Sequence, residues 1–232
     1  MRTVPRLGPD LAFPPAEAAD PRGLVAFGGD LSVARLLLGY RSGIFPWSAS
    51  PISWWSPDPR AVFEFDGVHV PRSLRRTLRR GGFRATLDLA FGRVIRTCAE
   101  VPRRDDGTWI CPELIAAYTR LHEEGWAHSL EVWRGDRLVG GIYGVAIGGF
   151  FAGESMFHHE TDASKVALAT LLAHLRRRGF QLFDTQMLTE TTRRLGAREI
   201  PRIEYLARLA PATAAPCTFG TGAVDIPGGP WD

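Results

Sequence analysis

The chain has 232 residues, of which 45% are hydrophobic and 23% charged, and a formal net charge of +3. That length supports a full core, the composition is globular, and no apolar run is long enough to span a bilayer. Its three cysteines, Cys98, Cys111 and Cys217, are odd in number and widely spaced, which speaks against a disulfide framework and a zinc site.

In chain order, residues 13–60 are rich in Pro, Gly and Trp and contain one clear helix. Ser32 caps it, Leu31 and Leu36 occupy the staple positions, and Gly43 ends it. A second helix is predicted over Arg72–Arg80. Its Arg72, Arg75, Arg76 and Arg79 fall on one face at i, i+3, i+4 and i+7, Arg80 follows, and Leu74 and Leu78 anchor the other side. Such a face is either solvated or a contact for a phosphate backbone, and the absence of acids within it suits phosphate.

From Pro112 the pattern becomes regular. Pro112 opens a helix with Leu114, Ile115, Tyr118 and Leu121 on its apolar face, and Gly125 stops it. Three strand-like runs follow, at Trp126–Trp133, Arg137–Ile147 and Phe150–Phe157, joined by turns at Arg134-Gly-Asp136 and Gly148-Gly149. Asp162 is the expected cap of a helix carrying Leu168, Leu171, Leu172 and Leu175, closed by Gly179. A strand is predicted over Phe180–Asp184. The order α-β-β-β-α-β with a helical crossover predicts a mixed sheet with a parallel pair. After Leu209 the chain is Ala/Pro/Gly/Thr-rich without periodicity, so residues 211–232 are expected to be a disordered tail.

Four islands stand out: Ala26-Phe-Gly-Gly-Asp30, Gly43-Ile-Phe-Pro-Trp47, Trp54-Trp-Ser-Pro-Asp-Pro-Arg60, and the glycine-interrupted strand from Gly148 to Phe157 with Glu154 among aromatics. Glycine within a strand marks a bulge or a close approach, and a carboxylate in such a setting needs a partner or a task. Together and in this order, the islands resemble the leucyl/phenylalanyl-tRNA–protein transferases over about residues 13–209. The order of elements resembles the acetyltransferase-like (GNAT-like) fold. The resemblance implies an α+β protein with a small loop-rich N-terminal domain (residues 1–62) packed on an acetyltransferase-like mixed-sheet domain (residues 63–210).

The resemblance further implies an enzyme that moves Leu, Phe or Met from aminoacyl-tRNA to the N-terminal Arg or Lys of an acceptor protein, marking it for degradation. No cofactor or metal is expected, because the ester of aminoacyl-tRNA is already activated. A cytoplasmic location is expected, since the N-terminus lacks the apolar core of a secretion signal, and a monomer with no membrane partner is expected.

Such a transfer needs a side-chain pocket, a surface for the terminal adenine, cations for the acceptor stem, and polar groups at the reacting atoms. Trp109, Ile142, Phe151 and Met156 are candidate pocket walls, with ordinary core packing as the alternative. Trp47 is the candidate for adenine stacking, and the Arg72–Arg80 face for phosphates. Asp184 and Gln186 are expected to project to one side of their strand, with Asp184 polarising Gln186. Glu154 is expected to hold the attacking ammonium or the acceptor's cation. Tyr118 and Lys165, the sole lysine among 28 basic residues, are further candidates. Thr191 stands where the resemblance leads one to expect a histidine.

Two other functions fit part of this pattern. An acyl-CoA-dependent N-acetyltransferase would carry a Gly-rich turn at the start of the crossover helix, where this chain has Asp162-Ala-Ser-Lys-Val-Ala-Leu168. A non-catalytic tRNA-binding module gives no reason to place Glu154 and Asp184 in a cleft.

Overall fold

The computed structural model describes residues 4–101 and 108–228. A small four-stranded sheet comes first, built from β1 (Arg6–Leu7), β2 (Leu24–Gly28), β3 (Phe45–Ala49) and β4 (Ile52–Trp55), with α1 (Val33–Arg41) between β2 and β3. The strands lie in the order β1-β2-β4-β3, with β1 parallel to β2 and the other pairs antiparallel. The loop-rich unit expected from composition is thus built on a sheet. Pro46 is tolerated because the β3–β4 register shifts between Pro46 and Ser48, and a bulge is where proline fits a strand. The Ser32 side chain caps α1 by accepting from the Arg35 N–H, as the sequence predicts.

The next strand, β5 (Arg60–Phe63), already belongs to the large sheet, so the change of sheet falls just before Arg60, short of the boundary drawn at residue 62. Then come α2 (Arg72–Arg80), β6 (Arg84–Leu87), α3 (Phe91–Glu100), α4 (Pro112–Glu123), β7 (Ala127–Arg134), β8 (Arg137–Ile147) and β9 (Phe150–His158). They are followed by α5 (Ala163–Arg177), β10 (Leu182–Gln186), α6 (Glu190–Arg194), β11 (Ala197–Ile200), α7 (Arg202–Ala214) and β12 (Gly222–Val224). The large sheet runs β11-β5-β10-β9-β8-β7-β6-β12, antiparallel except where the α5 crossover makes β9 and β10 parallel. The protein is therefore a mixed α/β fold with two mixed sheets.

Strand alternation sorts the core into two layers. On β9, Phe150, Ala152 and Phe157 face a layer formed by α1, α3, α4 and α7, while Phe151 faces α5 and α2. The small sheet packs on the first side, which brings Tyr40 of α1 beside Tyr118 of α4.

The expected disordered tail is corrected over residues 211–228; residues 229–232 lie outside the described residues. The helix α7 continues through Pro211 to Ala214. Phe219 is buried against Phe151 and His174, and β12 pairs antiparallel with β6. One buried aromatic and a short ladder anchor this segment, neither of which produces a periodic pattern.

Candidate functional site

The parallel pair β9–β10 holds for three rungs, from Leu182↔Phe150 to Asp184↔Ala152, and then separates. Both strands are irregular at that point. On β9, Ser155 pairs with Tyr143 and Gly153 with Gly144, which leaves Glu154 as the extra residue of a bulge. On β10, the register with β5 shifts between Asp184 and Gln186, and Gln186 adopts a positive φ of 57°. Glycine is required beside the bulge: a Cβ on Gly144 would sit 2.1 Å from the Ala152 carbonyl oxygen, and one on Gly153 would sit 2.8 Å from the Phe183 ring.

Between the parted strands lies a cavity of about 690 Å³, a size suited to a small ligand. Ile142, Met156, Leu168 and Phe183 form its apolar floor, Trp47 and Trp109 stand at its aromatic rim, and Glu154 and Gln186 are its polar wall. Ile142 and Met156 are cross-strand partners, so they present one continuous apolar patch. Three predicted walls, Trp109, Ile142 and Met156, are thus brought together with Trp47, Glu154 and Gln186.

Phe151 is not a wall. It lies one rung before the strands part, where Phe183 still pairs with it, and it is buried against the rings of Phe183 and Phe219. Phe183 takes the wall position instead.

The expected alignment of Asp184 with Gln186 is also corrected, because the register shift and positive φ end the strand alternation. The Asp184 carboxylate is fully buried, and its Oδ1 accepts from Arg60 Nε (2.9 Å) and from the Gln186 backbone N–H (2.8 Å). Its Oδ2 accepts from Arg60 Nη2 (2.6 Å) and from the Tyr205 hydroxyl (2.8 Å). Four donors fill the carboxylate's lone-pair sites. The Arg60 guanidinium is itself clamped between the rings of Phe45 and Tyr205 and donates to the Gly43 carbonyl. Asp184 therefore fixes the Gln186 backbone, while the Gln186 side-chain amide points away and donates to Glu154 Oε1 at 3.1 Å.

Glu154 gathers groups from distant parts of the chain. Tyr40 reaches its Oε1 at 2.9 Å and Tyr118 its Oε2 at 3.0 Å, and the two phenols touch each other. Burial pushes the Glu154 carboxyl up to about 7, against the opposing effect of the two phenol hydrogen bonds; the Asp184 charge raises it further and Arg60 lowers it. Burial, then the Glu154 charge, holds both phenols well above the usual tyrosine range. A carboxyl held near neutrality in a cleft is a group suited to proton transfer.

Other candidates lie elsewhere. The five arginines of α2 are exposed, and among the described residues none is in an ion pair; Arg75 donates to the Val70 carbonyl. Lys165 is half exposed and pairs with Asp162, outside the cavity lining. Asp162 occupies the cap position of α5, but its carboxylate goes to Lys165 and Thr77 rather than to the helix N–H groups. Thr191 lies on α6 outside the lining, whereas its neighbours Thr189 and Thr192 are in it. Among the described residues no cluster of His, Cys, Asp and Glu forms a metal site, and no helix is long and apolar enough to cross a membrane.

Residues missed at the sequence level are Tyr40, Arg60, Phe183 and Tyr205. Arg60 closes one of the four islands, which was the available signal; Tyr40 and Tyr205 sit in helices at positions indistinguishable from core.

Residues 62–210 match the family described as leucyl/phenylalanyl-tRNA protein transferase, and residues 29–58 match that family's N-terminal domain. A relative from Anaeromyxobacter dehalogenans is 53% identical over 228 residues, covering 97% of this chain and 98% of the relative. A relative from Magnetococcus marinus is 53% identical, covering 90% of this chain and 92% of its own, and one from Nitratidesulfovibrio vulgaris is 51% identical, covering 94% and 95%. All three carry the name leucyl/phenylalanyl-tRNA–protein transferase. These matches place the chain among the transferases. It belongs to the leucyl/phenylalanyl-tRNA protein transferase family.

Proposed function

We propose that this protein transfers leucine, phenylalanine or methionine from aminoacyl-tRNA to the N-terminal arginine or lysine of an acceptor protein, in the cytoplasm and as a monomer. The observation that carries the reading is the juxtaposition of an apolar floor with a near-neutral carboxyl in one cavity. The floor accepts an apolar side chain, and methionine adapts to branched and aromatic shapes alike. With the side chain on that floor, the ester carbonyl lies toward Gln186 and Glu154. Gln186 orients the reacting groups, and Glu154 holds the α-ammonium of the acceptor. Trp47 stacks the terminal adenine, and the exposed face of α2 meets acceptor-stem phosphates. The ester is already activated, so the exchange of ester for amide requires neither nucleotide nor metal. The unit expected over residues 63–210, extended to include β5, is then acetyltransferase-like, its parted parallel strands hold the acyl donor, and the product is an acceptor marked for degradation.

An acyl-CoA donor is disfavoured by Asp162. Its carboxylate sits at the start of α5, where a pyrophosphate would need bare N–H groups. A purely RNA-binding role leaves the Glu154 cluster without a purpose.

The test is direct. Radiolabelled leucyl-tRNA is incubated with an Arg-initiated peptide without ATP or added metal. Label in the peptide is the expected result; label retained on tRNA, or lost only to water, would defeat the reading.

A further inference from the structure

The contacts among Tyr40, Tyr118 and Glu154 form a closed ring of three oxygen–oxygen links: phenol to phenol, Tyr40 to Oε1, and Tyr118 to Oε2. Each link requires one proton. The two phenols supply two, and both are too weakly acidic in this buried setting to release them. If Glu154 is ionised and both phenols turn toward it, the phenol–phenol contact is left with lone pairs facing each other. If Glu154 is protonated, every link is made: Glu154 donates to Tyr40, Tyr40 to Tyr118, and Tyr118 to the second carboxyl oxygen. The ring is complete only when it holds one proton more than an ionised Glu154 provides.

We propose that Glu154 is the proton acceptor of the transfer reaction, with Tyr40 and Tyr118 as positioning residues that store the arriving proton by closing this ring. The inference rests on the transfer reading above and specifies its proton path.

The ionised Glu154 takes one proton from the acceptor's α-ammonium, and the ring closes. The nitrogen lone pair so freed attacks the ester carbonyl carbon, forming the C–N bond while the carbonyl π pair moves to oxygen. As that pair returns, the bond from carbon to the ribose oxygen breaks. A second nitrogen proton passes to the departing ribose oxygen, leaving an amide with one N–H. Glu154 then loses its proton to solvent through the cavity, and the ring reopens.

Two observations suit this role. Glu154 lines the cavity and retains exposed surface there, so a bound amine has access to it. Its affinity for a proton, held near 7 by burial, approaches that of a peptide α-amino group at roughly 7.7–8.0, which makes the exchange nearly isoenergetic. The charged and titratable groups facing it are Tyr40 from α1, Tyr118 from α4, Tyr143 from β8 behind Tyr118, Asp184 from β10 and Arg60 from β5. Of these, the opposed charges of Asp184 and Arg60 form a pair of their own, and among the described residues Glu154 is in no ion pair.

The experiment measures kcat/KM for an Arg-initiated peptide against pH, with leucyl-tRNA saturating. A bell is expected, rising as Glu154 ionises and falling as the peptide amine loses its proton. A profile that only rises to a plateau would mean that free amine attacks unaided, and would overturn the proposal. Glu154→Gln should lower kcat by roughly 100-fold or more and convert the bell into such a rise. As donors to an ionised carboxylate the phenols hold the Glu154 pKa down, whereas in the closed ring they hold the proton on it. Tyr40→Phe and Tyr118→Phe each open the ring, so the acid limb moves to lower pH; a move to higher pH would show that the phenols merely donate to an ionised carboxylate and would overturn the ring.

A measurement on the unsubstituted protein guards against misfolded variants. Carboxyl ¹³C resonances of labelled glutamate, with Glu154 identified by its loss in Glu154→Gln, should include one that titrates near neutrality. Titration of that resonance in the ordinary carboxylate range would overturn the proposal. Absence of peptide labelling at every pH would instead defeat the transfer reading, while the titration of Glu154 still decides the ring.

Discussion

Arg60 and Asp184 meet across the β5–β10 ladder in a two-point ion pair that leaves neither carboxylate oxygen open to a substrate. Two further donors, the Tyr205 hydroxyl and the Gln186 N–H, complete the shell. Asp184 therefore acts on the site through the backbone: it holds Gln186 in a left-handed conformation that a residue other than glycine adopts only when its surroundings enforce it.

Breaking this pair should be costly. Arg60→Met leaves the Asp184 charge buried without its cation, and the expected loss in urea unfolding is about 3–5 kcal/mol. The double variant Arg60→Met with Asp184→Leu should recover part of that loss, because no lone charge remains. Its transferase activity should stay low, since Gln186 has lost its anchor. A double variant no more stable than the single one would mean that the pair's hydrogen bonds, and not its charges, carry the effect.

The raised Glu154 carboxyl makes stability depend on pH in a definite direction. In the fold its pKa is about 7, against an ordinary value of 4.5. Between those values the folded protein retains a proton that the unfolded chain has released, so stability falls as pH rises through this window. Above it, ionised Glu154 burdens the fold by about 3 kcal/mol, at 1.36 kcal/mol per pKa unit. Glu154→Gln should match the unsubstituted protein in acid and be more stable by that order above neutrality. Equal stability of the two proteins at alkaline pH, followed by denaturant titration, would contradict the assigned burial effect.

Much of the architecture was legible in the sequence because it rests on local patterns. The Arg72–Arg80 helix, the Ser32 cap and the β7-β8-β9 meander follow from periodicity and turn residues that tertiary contacts did not override. Phe91–Glu100 gave no such signal: its cap position, Ala90, supplies no side-chain hydrogen bond, and its first turn has no acid. The site was legible only where the residue type alone marks a function. Glu154 stood out as a carboxylate among aromatics, and the glycine beside it, Gly153, marked a bulge or a close approach. The pairing of Asp184 with Gln186 was misread because alternation fails at a bulge, and no sequence pattern records a positive φ at glutamine. Tyr40 was invisible because its partners lie 78 and 114 residues away along the chain.

The arginines of α2 give a prediction about RNA alone. Arg76 and Arg79 are exposed, whereas Arg75 also tethers the Val70 carbonyl, so the first two are the cleaner pair to remove. Arg76→Ala with Arg79→Ala should weaken every tRNA alike and reduce the slope of log affinity against log salt by roughly two. The aminoacyl preference should not change. An unaltered slope in filter binding would move the RNA contact to another face.

Met156 and Phe151 separate pocket from core, though both face the α5 side of the sheet. Met156 borders the cavity and pairs with Ile142 across the strands, so shortening it enlarges the cavity. Met156→Ala should change the discrimination between leucyl- and phenylalanyl-tRNA by roughly 1–3 kcal/mol in kcat/KM. Its effect on stability should be modest, because the side chain is only partly buried. Phe151 is covered by Phe183 and Phe219, and its removal opens a void within the core. Phe151→Ala should therefore cost about 3–5 kcal/mol of stability while leaving the Leu:Phe ratio of the folded fraction unchanged. Competition between the two labelled tRNAs, read alongside denaturant unfolding of each variant, distinguishes them. A shifted ratio in Phe151→Ala with an intact one in Met156→Ala would place the amino-acid pocket on the other side of Phe183.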